Sequence, residues 1–494
     1  MRPFVVMLFV CLIIGAGGSG TMAAASIESS AQQPDCDKVP TGVATQDYWL
    51  RFNVPPGLMP DPQFDGLPAK LQVHRVRPVY ANGKCSGVAT KAAVLIHART
   101  VPGPVLYDLR EPATGGGALS VQEGLARAGI DTFVPSLLGY GRSTRFDEGL
   151  NDPGNASLPE CPTGVTPPPP PECDLTPNRV IFPPDQQRNE LIPNPLAATR
   201  AHSSNFRFAR TDVWVRDIDH VIHDAIDRTN ATYRGDGSGE TQVALVAYSL
   251  GGQTVGRALY ANEYVRQKVS RVVFLNSLFG GPTEEPANIT SPTFPLTLTD
   301  RSGSDSAWRM SQDRETACTG HVIPGTQEQV WAQVMDSDVV GREWGGDDPT
   351  HPTGLLRSPT FSGYGWNNTV AGQLSTPTLV MQGLDDTVLP TGPTTGQAIY
   401  NALLSAEQKV LVQVECASHA LMWEGCAQTT PIPARCTLAS GEAPYGGTQG
   451  RPWDGPQATF KAALIEWIKK GTFNNEQNGS FIVDESGVAR AAAP

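Results

Sequence analysis

Runs of positive charge are missing from this sequence. Its 37 Lys and Arg are outnumbered by 49 Asp and Glu, and the formal net charge is -12. A phosphate-binding surface needs clustered cations, so nucleic acid is excluded as the expected partner. No C-x-x-C pair occurs, which argues against a zinc site. After the first residues no apolar stretch reaches membrane-spanning length, so no stable membrane insertion is expected. Aromatic residues make up only 7% and charged residues 17%, whereas Gly (50) and Pro (43) are plentiful. That composition fits a globular chain with many loops, long enough at 494 residues for one large domain or two ordinary ones.

The beginning of the chain has the pattern of an export signal. Arg2 supplies the positive start, residues 4–14 are an apolar run too short for a bilayer, and Ala23-Ala24-Ala25-Ser26 offers small residues for cleavage. Cleavage after Ala25 predicts a secreted, extracellular or periplasmic protein. Of nine cysteines, Cys11 lies in that apolar run. Eight remain, at 36, 85, 161, 173, 318, 416, 426 and 436, and an even number in an exported chain predicts disulfides. The sequence leaves their connectivity open: the local bridges Cys161–Cys173 and Cys426–Cys436 are the easiest to form, and Cys36–Cys85 would tie down the N-terminal arm.

Apolar strands then alternate with amphipathic helices. Residues 47–54 and 70–79 alternate as two antiparallel strands should, and residues 92–96, 132–138, 243–247, 272–275, 378–381 and 410–414 read as strands covered on both faces, the last of these as the final strand. Helices are predicted over 120–128, from 211, over 253–262 and over 456–470. In the helix from 211, Trp214, Ile218, Val221, Ile222 and Ala225 share one face. This rhythm predicts an α/β fold with a mostly parallel sheet and helices on both sides. Two insertions interrupt it, residues 144–210 with the prolines at 167–171, and residues 279–375 with a helix near 327–340. Strandless segments of that length are expected to act as lids or caps. The expected organisation is thus 1–25 signal, 26–143, 211–278 and 376–494 as parts of one domain, and 144–210 and 279–375 as insertions.

The segment Val243-Ala244-Leu245-Val246-Ala247-Tyr248-Ser249-Leu250-Gly251-Gly252 carries the chemistry. An apolar strand runs through a serine straight into a helix. So sharp a turn strains the serine backbone, requires small neighbours, and presents the hydroxyl at a helix N-terminus, where the Leu250 N–H can face a developing oxyanion. This segment resembles the Gly-x-Ser-x-Gly turn of the α/β-hydrolase family, with Ala247 standing for the first glycine. In that family the order is serine, acid, histidine, each after a later strand. The stretch Gly383-Leu384-Asp385-Asp386-Thr387-Val388-Leu389-Pro390 is similar to the family's acid turn, which implies Asp386 as acid, with Asp385 the adjacent rival. Among eight histidines, only His419 follows a strand and comes after the acid. His97-Ala98-Arg99 occupies the place where relatives carry a second oxyanion donor, implying the Arg99 N–H, with Ala98 next in line.

The resemblance covers roughly residues 90–145, 210–280 and 376–470. It implies acyl transfer to water without metal or organic cofactor, on a small-molecule substrate, with carboxylic esters preferred by analogy with the fold. A serine aminopeptidase of the same fold is one alternative, and a binding protein without turnover is another.

Overall fold

The computed structural model describes residues 39–81, 91–109, 119–146, 150–151, 156–157, 209–233, 241–285, 296–299, 301, 304, 323, 325–343, 354–389, 392–426, 442–449 and 452–492. The chain divides at residues 33/34, and every described residue lies in the second unit. The expected signal segment, and one or both cysteines of each expected bridge, fall outside the described residues.

Ten strands build the main sheet: β1 (Gly42–Asn53), β2 (Pro68–Val79), β3 (Lys91–Ile96), β4 (Ile130–Ser136), β5 (Gln242–Tyr248), β6 (Val269–Leu275), β7 (Thr378–Gly383), β8 (Lys409–Val414), β9 (Gly479–Val483) and β10 (Ala489–Ala491). Their order is β1-β2-β4-β3-β5-β6-β7-β8-β9-β10. From β4 through β9 all neighbours are parallel, while β1, β2 and β10 pair antiparallel at the edges.

Alternation along each central strand sends side chains to opposite faces. Ala92, Val94 and Ile96 of β3 point into one core with α2 (Thr211–Tyr233), α3 (Leu250–Ala261) and α5 (Thr395–Ala402). Ala93 and Leu95 point into the other, with α1 (Val121–Arg127) and α6 (Pro456–Lys470). The stripe predicted for α2 is buried in full. Helix α1 begins on Ser120, whose hydroxyl accepts the Glu123 N–H, and α6 runs from Pro456 at its first position to Gly471 in a left-handed cap.

Five expectations need correction. The strand expected over 132–138 leaves the sheet at Ser136, because side chains take the next two N–H groups: Leu137 donates to His97 Nε2 (3.0 Å) and Leu138 to Asp217 Oδ2 (2.9 Å). Helix α3 starts at Leu250, three residues before expected, since the serine turn feeds directly into it. Strand β8 is not the last, for β9 pairs parallel to it and β10 closes that edge.

The insertions are also not strandless. Leu296–Thr299 pairs antiparallel with Leu356–Pro359 and parallel with Ala156–Ser157, so one small sheet draws on both insertions. The helix expected near 327–340 is two, α4 (Thr326–Ser337) and a short turn at Val339–Glu343. Asp338 separates them because its carboxylate is engaged by Arg357 Nε and Nη2 and by the Gly341 N–H. Helix α4 buries Val330, Trp331, Val334 and Met335 in the same core as α1 and α6. No described helix is long and apolar enough to cross a membrane.

Candidate active site

Parallel strands deliver their carboxyl ends to one rim, and that rim is where open α/β sheets bind ligands. Ser249 follows β5, Asp386 lies three residues beyond β7, and His419 lies five beyond β8.

Ser249 sits at φ 51° and ψ -118°. Such a conformation in a non-glycine residue costs on the order of 1–3 kcal/mol and persists only where the surroundings hold it. Here the Ser249 N–H donates to Leu275 O (3.1 Å), and its carbonyl accepts from Gly252 and Leu278 (3.0 and 2.8 Å). The tightness of the turn is visible at Gly251, where a Cβ would lie 2.7 Å from the His97 carbonyl and 2.8 Å from that of Ile96. Only glycine lets α3 approach the end of β3 so closely.

The three side chains form one continuous line. His419 Nε2 is 3.0 Å from Ser249 Oγ, and His419 Nδ1 is 2.9 Å from Asp386 Oδ2. Asp386 is fully buried and His419 is 3% exposed. The Asp386 carboxylate also accepts from Val388 N (3.0 Å) and Gln382 Nε2 (3.2 Å), which fixes its plane. With its Nδ1–H donated in a hydrogen bond to the Asp386 carboxylate, the imidazole presents an acceptor nitrogen to the serine hydroxyl. That geometry can take a proton from the hydroxyl while a buried carboxylate offsets the charge formed on the ring.

Asp385 does not join this line. It is half-buried, and its backbone N–H donates to Ala417 O (2.9 Å). Leu250 stands first in α3, beside Ser249. Arg99 is exposed in the bend after β3, and Ala98 is buried next to it.

His97 is a packed residue. Its Nε2 accepts from Leu137 N, so its Nδ1 carries the proton and donates to Ala98 O (2.7 Å), and burial lowers its pKa to about 4. It is thereby neutral and ties the loop after β3 to the loop after β4. The segment Gly139-Tyr140-Gly141-Arg142-Ser143 is likewise structural: Gly139 and Gly141 take positive φ, and the Ser143 hydroxyl donates to Ser136 O.

Several residues around the site escaped the sequence reading. Glu424, 3% exposed, accepts from the Ser418 N–H (2.9 Å) and hydroxyl (2.6 Å), closing the histidine loop on itself. The buried Tyr248 hydroxyl donates to His419 O, and burial holds its pKa well above that of an ordinary phenol. Asn276, directly after β6, contacts both the histidine loop and β7. A polar residue immediately after a buried parallel strand was the available signal for Asn276. The loop also carries two disulfide-bonded cysteines, Cys416 and Cys426. Among the described residues no group of three or more His, Cys, Asp or Glu could hold a metal ion.

A parallel sheet covered by helices on both faces, with a strained serine between its fifth strand and a helix, defines the class as an α/β hydrolase. The chain belongs to the alpha/beta hydrolase fold family, which matches residues 112–425, well over half its length. No curated protein matches it. Among solved structures, it is similar to the thioesterase domain from the curacin biosynthetic pathway, at 11% identity and a TM-score of 0.38, covering 77% of this chain and 95% of that one. It is also similar to a soluble variant of monoglyceride lipase from Saccharomyces cerevisiae, at 14% identity and a TM-score of 0.38, covering 85% and 96%. A third is a pyrethroid hydrolase, at 15% identity and a TM-score of 0.33, covering 78% and 99%. These likenesses carry no argument about what this chain acts on.

Proposed function

We propose that the protein is a secreted serine hydrolase that cleaves carboxylic esters through an acyl-enzyme. The observation that carries the reading is the unbroken line from Ser249 Oγ through the His419 ring to Asp386 Oδ2, with steps of 3.0 and 2.9 Å. Ser249 Oγ attacks the ester carbonyl while His419 Nε2 takes its proton. The carbon–oxygen bond to the leaving alcohol breaks, and His419 returns the proton to that oxygen. Water then attacks the acyl-serine by the same route in reverse, releasing the acid and restoring the hydroxyl. Asp386 holds the imidazole tautomer and offsets its transient charge.

The Leu250 N–H, first in α3, faces the oxyanion with the positive end of the helix dipole behind it. The Arg99 N–H supplies the second donor. The insertions 144–210 and 279–375 serve as cap over the carboxyl rim. Residues 1–25 direct export, and the eight remaining cysteines pair in the oxidising compartment.

A fluorophosphonate probe tests the reading directly. It should label Ser249 alone, and the protein should hydrolyse chromogenic esters faster than peptide nitroanilides. An unlabelled Ser249 rejects the mechanism, and faster anilide cleavage rejects the substrate class.

A further inference from the structure

We infer that Asn276 is a positioning residue that sets the distance between the acid and base loops, an inference that rests on the proposed roles of His419 and Asp386. Strand β6 ends at Leu275, and Asn276 turns out of it at φ 40°, in the left-handed region that asparagine tolerates better than most residues. Its side chain is fully buried. One amide hydrogen goes to Ser418 O (2.7 Å) and the other to His419 O (3.0 Å), while Oδ1 accepts from Gly383 N (2.8 Å). Its own backbone N–H donates to Met381 O (2.9 Å).

A single planar group therefore touches the peptide on each side of the His419 Cα and the last residue of β7, three positions before Asp386. The carbonyls of Ser418 and His419 fix the backbone from which the imidazole projects. Gly383 fixes the point from which the acid turn leaves the sheet, and the Asp386 N–H folds back onto its carbonyl (3.2 Å). The two loops meet closely at that point: a Cβ on Gly383 would lie 2.4 Å from Ala417 O. Close packing alone does not choose a direction for the imidazole, whereas paired donors on consecutive carbonyls do.

The chemistry of the position admits few residues. An amide supplies two donors and an acceptor in one plane. Leucine of similar volume leaves two carbonyls and an N–H buried without these partners. Aspartate keeps the shape but, when ionised, turns an acceptor toward two carbonyl oxygens.

The test uses the full chain with Asn276→Asp and Asn276→Ala, and a p-nitrophenyl ester as substrate. Rates are expressed per site titrated with a fluorophosphonate. Both variants should lose kcat per titrated site, by up to about 100-fold for a base displaced on the order of 1 Å, with KM unchanged. In Asn276→Asp the ratio to wild type should rise as pH falls, because the protonated carboxyl regains one donor. Asn276→Ala has nothing to protonate, so its ratio should stay flat. A full kcat per remaining site at all pH values overturns the inference, as does the absence of folded protein from both variants, since either result marks a purely structural residue. Wild-type labelling at Ser249 reports separately on the mechanism. If that labelling fails, the reading and this inference fall together.

Discussion

Arg357 holds Asp338 in a buried bidentate pair, its Nε 2.8 Å from Oδ2 and its Nη2 2.5 Å from Oδ1, with neither side chain more than 5% exposed. Arg145, just after the Gly139–Ser143 turn, adds a third contact at 3.2 Å. Burial lowers the Arg145 pKa to about 10, and the two arginines outweigh the effect of burial on Asp338, whose pKa is lowered. Asp338 thus fastens the segment after α4 to the strand Leu356–Pro359 through Arg357, and to the loop at the carboxyl end of β4 through Arg145.

Asp338→Asn leaves two buried guanidinium groups facing a neutral amide. It should destabilise the fold by about 3–5 kcal/mol, the range for a buried pair robbed of one partner. Urea unfolding of the variant and wild type reads the difference. Equal midpoints would show that the cluster is solvated in solution.

Ser249→Ala should reduce ester turnover by at least about 10⁴-fold. Thermal unfolding should shift little, because the Ser249 hydroxyl only meets the imidazole and the backbone bonds of the turn remain. Retained turnover would move the nucleophile elsewhere.

Asp386→Asn keeps the shape but alters the tautomer of His419, and kcat should fall on the order of 10⁴-fold. Asp385→Asn should leave kcat near wild type, since the His419 ring meets Asp386 Oδ2 and the Asp385 backbone N–H bond to the histidine loop survives the change. Steady-state kinetics on the two variants decides the assignment, and a larger loss at Asp385 reverses it.

Stability should fall on the alkaline side through His74. Burial alone depresses this histidine, but hydrogen bonds to Asp108 and Asp47, each at 2.9 Å, prevail and raise its pKa to about 9. The folded value lies above the unfolded one, so the contribution is complete below about pH 6.5 and is lost as pH rises through 9. Its size is on the order of 3 kcal/mol. Urea midpoints measured from pH 6 to pH 10 should drop more for wild type than for His74→Gln. Parallel profiles would assign the loss to other groups.

What the sequence disclosed and what it hid separate along physical lines. Buried strands such as 92–96 and 243–247 are legible because they are apolar throughout and bounded by loops, and α2 because its apolar face repeats at helical spacing. Ser249 is legible because a strand, a small-residue turn and a helix follow one another without a break. Asp386 and His419 are close in sequence to strand ends, which limits the candidates. The exit of β4 at Ser136 was hidden, for it depends on acceptors from His97 and Asp217, 40 and 79 residues away. Asn276 was hidden for the same reason, its partners being 107, 142 and 143 residues distant. The break at Asp338 depends on Arg357, whose approach no local pattern announces.

His419 reaches across 33 positions to Asp386 and 170 to Ser249. Chain closures of that span are entropically expensive and come late in assembly. Turnover during refolding should accordingly lag behind the return of helical signal, so the onset of ester cleavage serves as a clock for the last docking event. A nick between Ser249 and Asp386 tests how firmly the finished sheet keeps its halves together, and catalysis by the cleaved chain reads out that grip.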